Sequence, residues 1–369
     1  MRVGLVVPGF SADEADWCIP ALRHLAQALA TPDDVRVIAV RYPYRASRYP
    51  LLGAEVIALG GATRRGLATF ELWRQTLRIL RAEHRRRPFD VLHAFWATES
   101  GLLAALAGRL LAIPTLVSLA GGELVALPAI GYGDQRIAWE RLKVRTCLRL
   151  ASAVSVGSRQ LKRVAERHVD RRRLHRAPLG VDLDLFSPAA PDHGDRTPSV
   201  LHVGTLTKVK DQATLLRAFA RLRQQGASAT LDIVGDGPLR THLEGLACQL
   251  GIADVVRFRG SLDHAVLPAV YRSASVFVLG SRYEAQGMVA IEAAACGTPV
   301  VGTCVGVLPE LTSALAPVGA DESLAHAFAA TLADPQPAAR DALARARSNF
   351  GLADCAARFR GLYTALTSA

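Results

Sequence analysis

The sequence predicts an α/β protein made of two doubly wound, Rossmann-like domains, and three observations carry that prediction. Short continuous apolar runs alternate with longer segments of helical period along the chain. The alternation occurs twice, and the halves are separated by a stretch without periodicity, Ser187-Pro188-Ala189-Ala190-Pro191-Asp192-His193-Gly194-Asp195. With 369 residues, 50% of them hydrophobic, the chain can fill two cores. Apolar strands separated by helices belong to parallel sheets, whose crossover connections cover both faces.

Taken in order, strands are expected near 1–7, 35–41, 54–59, 90–95, 115–119, 153–157 and 174–178. Helices near 17–30, 66–87, 99–112, 135–151 and 158–168 lie between them. The opening run from Met1 to Val7 is only long enough for a strand, and Pro8-Gly9 stops it, so no signal peptide is expected. The most apolar stretch, 101–120, is interrupted by Arg109 and Pro114, which argues against a membrane span. In the second half, strands are expected near 199–204, 229–235, 255–260, 275–280 and 298–302. The expected organisation is a first domain over 1–190, a second over 195–350, and a helix within 351–369. That helix carries Cys355, Phe359, Leu362, Tyr363 and Leu366 on one face. Ligands would bind at the carboxyl ends of the strands, facing a cleft between the domains.

Six cysteines form no CxxC pair, which suits a reducing, cytoplasmic setting rather than a disulfide frame or zinc site. No His/Asp cluster supplies metal ligands, and no metal or other cofactor is expected. The net charge of +11 is unevenly placed: residues 1–192 carry 28 Lys and Arg against 18 Asp and Glu, residues 193–369 carry 16 against 15. No nucleic-acid recognition motif accompanies that charge, so nucleic acid is not the expected partner.

The most informative segment runs from Ser275 to Val301. It reads as strand (Ser275 to Gly280), loop (Ser281 to Gly287), helix (Met288 to Cys296), Gly297 as cap, and strand. Glu284 falls in the loop and Glu292 about one turn into the helix. Amides around Gly287, Met288 and Val289 would be unpaired there, offering donors and partial positive charge to a phosphate. Carboxylates beside them would suit sugar hydroxyls, which need acceptors. The competing reading is two solvated glutamates on a surface helix.

The full string S-x-x-E-x-x-G-x-x-x-x-E-A-x-A-x-G-x-P-V-V resembles that of the retaining family-4 glycosyltransferases of the GT-B fold. The resemblance implies that Glu284 contacts the transferred sugar, that Glu292 holds the donor ribose, and that backbone at Gly287, Met288 and Val289 lies near the diphosphate. Gly204-Thr205-Leu206-Thr207-Lys208-Val209-Lys210 is similar to the family's phosphate loop, in which an Arg usually follows the Gly. Here Thr205 stands in that place. Lys210 would neutralise the leaving diphosphate, with Lys208 as a substitute for the missing Arg. Gly235-Asp236-Gly237-Pro238 matches a strand-end turn of the family, although such a turn alone need only reverse the chain.

In the first half, Asp90 to Trp96, Ser118 to Leu124, Val156-Gly157-Ser158 and Pro178 to Asp182 also resemble the family, so the likeness spans almost the whole chain. Gly9 matches the position where members bring backbone to the diphosphate, or is simply a turn glycine. Family members commonly carry His before the first Gly of the fifth-strand loop; this chain has Ala120, followed by Gly121. The acceptor side would then be shaped by His93, Gly121 and Glu123, with a satisfied strand-end histidine as the plainer reading of His93.

The resemblance implies a metal-independent hexosyltransferase. It would take a UDP- or GDP-sugar to an acceptor that the sequence does not identify, a lipid-linked acceptor or a cell-envelope glycan precursor being candidates. A GT-B-fold nucleotide-sugar isomerase or phosphorylase is the alternative enzyme, and a non-catalytic partner subunit the alternative that Ala120 and Thr205 favour. The helix near 66–87 places Arg74, Arg78, Arg81 and Arg85 on one stripe, and Phe70, Trp73, Leu77 and Leu80 on another about 90° away. An anionic membrane surface would be a fitting partner for that basic stripe, and an ordinary solvated face is the other reading.

Overall fold

The computed structural model describes residues 1–188 and 197–368. The chain divides into two compact units, one of Met1–Gly180 with Leu352–Ala369, the other of Val181–Gly351. Of the expected linker, residues 189–195 lie outside the described residues. Val181 and Phe186, before it, are part of the second unit's core.

In the first unit the strands are β1 (Arg2–Gly9), β2 (Asp34–Tyr42), β3 (Ala46–Leu51), β4 (Ala54–Leu59), β5 (Val91–Phe95), β6 (Thr115–Leu119), β7 (Ala153–Val156) and β8 (Leu174–Arg176). Its helices are α1 (Pro20–Ala30), α2 (Leu67–Arg86), α3 (Glu99–Leu111), α4 (Ala138–Leu150) and α5 (Arg159–Ala165), completed by the last helix of the chain. The sheet order is β3-β4-β2-β1-β5-β6-β7-β8. Every pairing is parallel except β3 with β4. Strand β3 has no apolar run: Ala46, Ser47 and Arg48 are exposed, and the strand is an edge on which Pro50 costs no ladder bond.

Helix α2 turns a different face inward from the one expected. Leu72, Thr76, Leu80 and Glu83 are buried, whereas Phe70 is 50% exposed. A carboxylate can lie on the inner face because Glu83 meets Arg2 at 3.3 Å and Arg48 at 2.8 Å. Those cations hold its carboxyl below the usual range in spite of burial. Arg74, Arg78, Arg81 and Arg85 do lie exposed.

The second unit contains β9 (Ser199–Val203), α6 (Gln212–Gln224), β10 (Thr230–Val234), α7 (Arg240–Gln249), β11 (Val256–Gly260), α8 (Leu267–Ser273), β12 (Val276–Leu279) and α9 (Met288–Ala295). It ends with β13 (Val300–Thr303), α10 (Leu308–Leu311), β14 (Leu315–Ala316), α11 (Asp321–Ala333) and α12 (Pro335–Phe350). All its strands are parallel, in the order β11-β10-β9-β12-β13-β14. This is the doubly wound arrangement in which the winding reverses between the first and fourth strands, here β9 and β12. In such sheets the connections leave those two strands toward opposite faces, and their carboxyl ends are where ligands are expected.

Helix α13 (Leu352–Thr367) returns to the first unit. Cys355, Ala356, Phe359 and Tyr363 are buried, and Leu362 and Leu366 pack partly buried against the same core. Among the described residues no helix is long and apolar enough to cross a membrane.

Candidate active site

The loops that follow β9 and β12 meet where the second unit's winding reverses. Arg282 N donates to Val209 O at 2.8 Å, and its guanidinium Nε lies 2.9 Å from Asp211 Oδ2. Between these ties, Lys210 Nζ reaches Glu284 Oε1 at 2.5 Å, and Ser281 Oγ donates to the same oxygen at 2.7 Å. The Lys210 and Glu284 side chains are 21% and 10% exposed, so the pair is sheltered yet accessible. Lys208 and Thr205 are exposed on the same loop.

Beneath the loop lies His202, wholly buried. Its Nδ1 is 3.0 Å from Val278 O, and its Nε2 is 3.1 Å from Gln212 Nε2, which also donates to Thr205 O at 3.0 Å. A carbonyl can only accept and an amide nitrogen only donate, so Nδ1 carries the proton and Nε2 accepts. Burial lowers the imidazole to about 4, which keeps it neutral. The Gly235–Pro238 turn braces the loop from the side: Gly204 N donates to Val234 O, and Leu206 N to Asp236 O. A Cβ at Gly237 would sit 2.6 Å from Leu206 O, at a φ of +159°.

Gly287 ends the second loop at φ 98° and starts α9, which no side chain caps. The first-turn amides of α9, at Met288 and Val289, therefore remain available to an anion. Glu292 lies further along the helix, 6% exposed, with Tyr271 and His264 on its carboxylate oxygens. The structure thus gathers Gly204, Thr205, Lys208 and Lys210 on one loop, Glu284 on the next, and Gly287, Met288, Val289 and Glu292 on α9. Among the described residues no group of three or more His, Cys, Asp or Glu is arranged to hold a metal ion.

Several partners of this site were not read from the sequence. Ser281, Arg282 and Asp211 stood in the quoted segments without a role, and Gln212 gave no signal. His202 did leave a trace: a histidine inside the apolar run Val200-Leu201-His202-Val203 must find partners within the fold.

In the first unit, Gly9 ends β1, where an added Cβ would lie 3.2 Å from both Cys18 Sγ and Tyr42 Cβ. Glu123 is 1% exposed and gathers the loop after β6, accepting from Gly121 N at 2.7 Å and Ala120 N at 3.0 Å. Desolvation raises its carboxyl, and those amides act against that rise. It shapes the loop instead of pointing outward. His93 does not belong to an acceptor site. It is wholly buried, 2.7 Å from Tyr363 Oη and 2.7 Å from Ser118 Oγ, and burial lowers it to about 3. Helix α13 covers it, which a strand-end reading did not anticipate.

Residues 186–349 match the family model described as glycosyl transferases group 1, and residues 19–180 match a glycosyl transferase 4-like domain. Relatives include the D-inositol 3-phosphate glycosyltransferase of Geodermatophilus obscurus, 34% identical over 63% of this chain, which spans 56% of that protein. The one from Xylanimonas cellulosilytica is 31% identical over 79% of this chain and 76% of its own length. Among solved structures, sucrose-phosphate synthase from Thermosynechococcus elongatus matches with a TM-score of 0.81 and 25% identity, over 100% of this chain and 99% of that one. Anabaena HepE in complex with UDP matches with a TM-score of 0.74 and 17% identity, over 99% of this chain and 100% of that one.

Proposed function

The chain belongs to the group 1 glycosyltransferases of the GT-B fold, and from that membership we propose that it moves a hexose from a UDP- or GDP-sugar to an acceptor hydroxyl with retention at the anomeric carbon. The observation that carries this reading is the sheltered Lys210–Glu284 pair beside the uncapped start of α9, at the reversal of a doubly wound sheet. Cation and helix amides suit a diphosphate, and the carboxylate suits hydroxyls of the sugar attached to it. In this reading Glu284 holds the transferred hexose, and Lys210 and the Gly287, Met288 and Val289 backbone hold the diphosphate. Gly204, Thr205 and Lys208 line its phosphate side, and Glu292 binds the ribose.

The acceptor oxygen attacks the anomeric carbon on the face that the diphosphate leaves. The bond from carbon to phosphate oxygen breaks with its electron pair, and the acceptor proton passes to the departing phosphate. Charge gathering on that phosphate is offset by Lys210 and the α9 amides, so turnover needs no metal ion. The first unit supplies acceptor recognition through its strand-end loops, Gly121 and the Glu123-ordered turn included.

Thermal shift with a panel of UDP-, GDP- and ADP-sugars tests the donor assignment. Glu292→Ala should weaken donor affinity by about 1–3 kcal/mol through lost hydroxyl hydrogen bonds. Glu284→Ala should chiefly lower turnover. If both variants keep wild-type kinetics, the donor site lies elsewhere. Donor consumption without any acceptor would instead point to an isomerase. NMR of the new anomeric centre should show the donor's configuration, and an inverted linkage would rule out the retaining reading.

The acceptor is lipid-linked or a cell-envelope glycan precursor, reached from an anionic membrane surface on which the first unit docks peripherally. Charge and apolar exposure together support this. The Trp73 and Trp139 rings stack with centroids 6.4 Å apart and join α2 to α4. Around them Leu67 is 87%, Phe70 50%, Ile137 51%, Trp139 49% and Leu142 53% exposed. Arg74 and Arg78 flank this patch, and Arg141, Arg145 and Arg149 line an adjoining groove with Arg167 and Arg173. Each arginine near an anionic leaflet contributes about 1 kcal/mol. Flotation should show binding that grows with anionic lipid content and falls with salt. Absence from the vesicles at every salt concentration, with full activity on a soluble acceptor, would remove the membrane from the proposal.

A further inference from the structure

Glu292 is gripped on both carboxylate oxygens by residues that no motif links to it. Tyr271 Oη donates to Oε2 at 2.8 Å, and His264 Nε2 lies 3.1 Å from Oε1. Glu292, Tyr271 and His264 are 6%, 0% and 7% exposed, so all three are buried in the second unit. Tyr271 is itself fixed: its carbonyl accepts from Thr298 Oγ1 at 2.7 Å, and its ring meets Phe277 edge-on at 5.7 Å. Phe186 stands edge-on to His264 at 5.2 Å. Burial, with Glu292 beside it, pushes the Tyr271 phenol well above its ordinary value, so it stays a donor.

A carboxylate offers about four lone-pair sites, two on each oxygen. One protein donor on each oxygen leaves one site on each, side by side, for a pair of neighbouring hydroxyls. Holding the group this way also removes, before any ligand arrives, the rotamer freedom that a long glutamate side chain would lose on binding. We propose that Tyr271 and His264 are positioning residues that lock Glu292 as a reader of the vicinal ribose hydroxyls, making it the element that distinguishes ribonucleotides from their deoxy forms. The proposal rests on the reading that Glu292 faces the donor ribose, and it assigns to α8 and the turn before it a part in donor selection.

The test is calorimetric titration of wild type, Tyr271→Phe and His264→Ala with UDP and GDP, and with the 2′,3′-dideoxy form of whichever binds more tightly. Tyr271→Phe removes one oxygen and keeps the ring in its packing. It should weaken the ribonucleotide about tenfold, about 1.4 kcal/mol, and leave the dideoxy nucleotide unchanged. His264→Ala should act in the same direction, and His264→Gln, which keeps a donor, should restore most of the preference. Equal weakening of both nucleotide forms, or no weakening in either Tyr271→Phe or His264→Ala, overturns the proposal. A wild-type protein that binds neither nucleotide, or does not tell the two forms apart, overturns the donor-site reading and the proposal with it. If Tyr271→Phe does not fold, the His264 pair of variants carries the same comparison.

Discussion

Lys210→Ala should reduce turnover by a factor on the order of 100 at saturating donor, as expected when a cation facing the leaving group is lost. Lys210 sits at the end of the β9 loop with its ammonium against Glu284, so the two side chains offset each other's charge. When the diphosphate departs, its new negative charge would fall beside this ammonium in a sheltered place, where such an interaction outweighs its value in water. Lys210→Met separates charge from packing, since it keeps the aliphatic stem and removes only the cation. Initial rates with a coupled assay for nucleotide release would measure both variants, with donor affinity followed separately. A wild-type rate would move the role to Lys208 or to the α9 amides alone.

Phe359→Ala should destabilise the first unit by about 3–5 kcal/mol, the range for emptying an aromatic ring's place in a core. Phe359 is fully buried on α13, with its ring 5.0 Å from His93 and 6.3 Å from Phe95. Urea unfolding read by circular dichroism should show the loss. A change under about 1 kcal/mol would mean that α13 lies on the unit without completing it. The same helix makes the unit acid-sensitive. His93 has its pKa lowered to about 3, so the folded state resists a proton that the unfolded chain takes up near 6.5. Its contribution is present above pH 6.5 and is lost progressively as pH falls from there toward 3.

Most of the scaffold was legible because parallel strands buried on both faces must be apolar throughout. The runs at 1–7, 90–95 and 275–280 could hardly be anything else. Strand β3 escaped because an exposed antiparallel edge needs no such run, and β14 because two residues make no pattern. The two segments that bring Lys210 and Glu284 together were legible since each lies at a loop-to-helix transition, where spacing carries meaning. The supports of the cluster were not. His202 works through Val278 and Gln212, and Glu292 through Tyr271 and His264, pairings made by the sheet and by α8. His93 stood between an acceptor-side role and a satisfied histidine, and the contact that favours the second comes from a helix more than 250 residues later.

That late helix also bears on how the chain is made. The second unit is continuous from Val181 to Gly351, whereas the first is split and receives Leu352–Ala369 at the end. During synthesis β1 to β8 emerge early, yet the face that takes Phe359 and Tyr363 stays uncovered until Leu352–Ala369 leave the ribosome. The second unit, begun later, has its whole sheet available sooner than the first has its last wall. A fragment halted at Gly180 would therefore present Val91, Phe95 and their neighbours to whatever apolar surface or chaperone it meets. Of the two units, the one translated earlier is the one completed later.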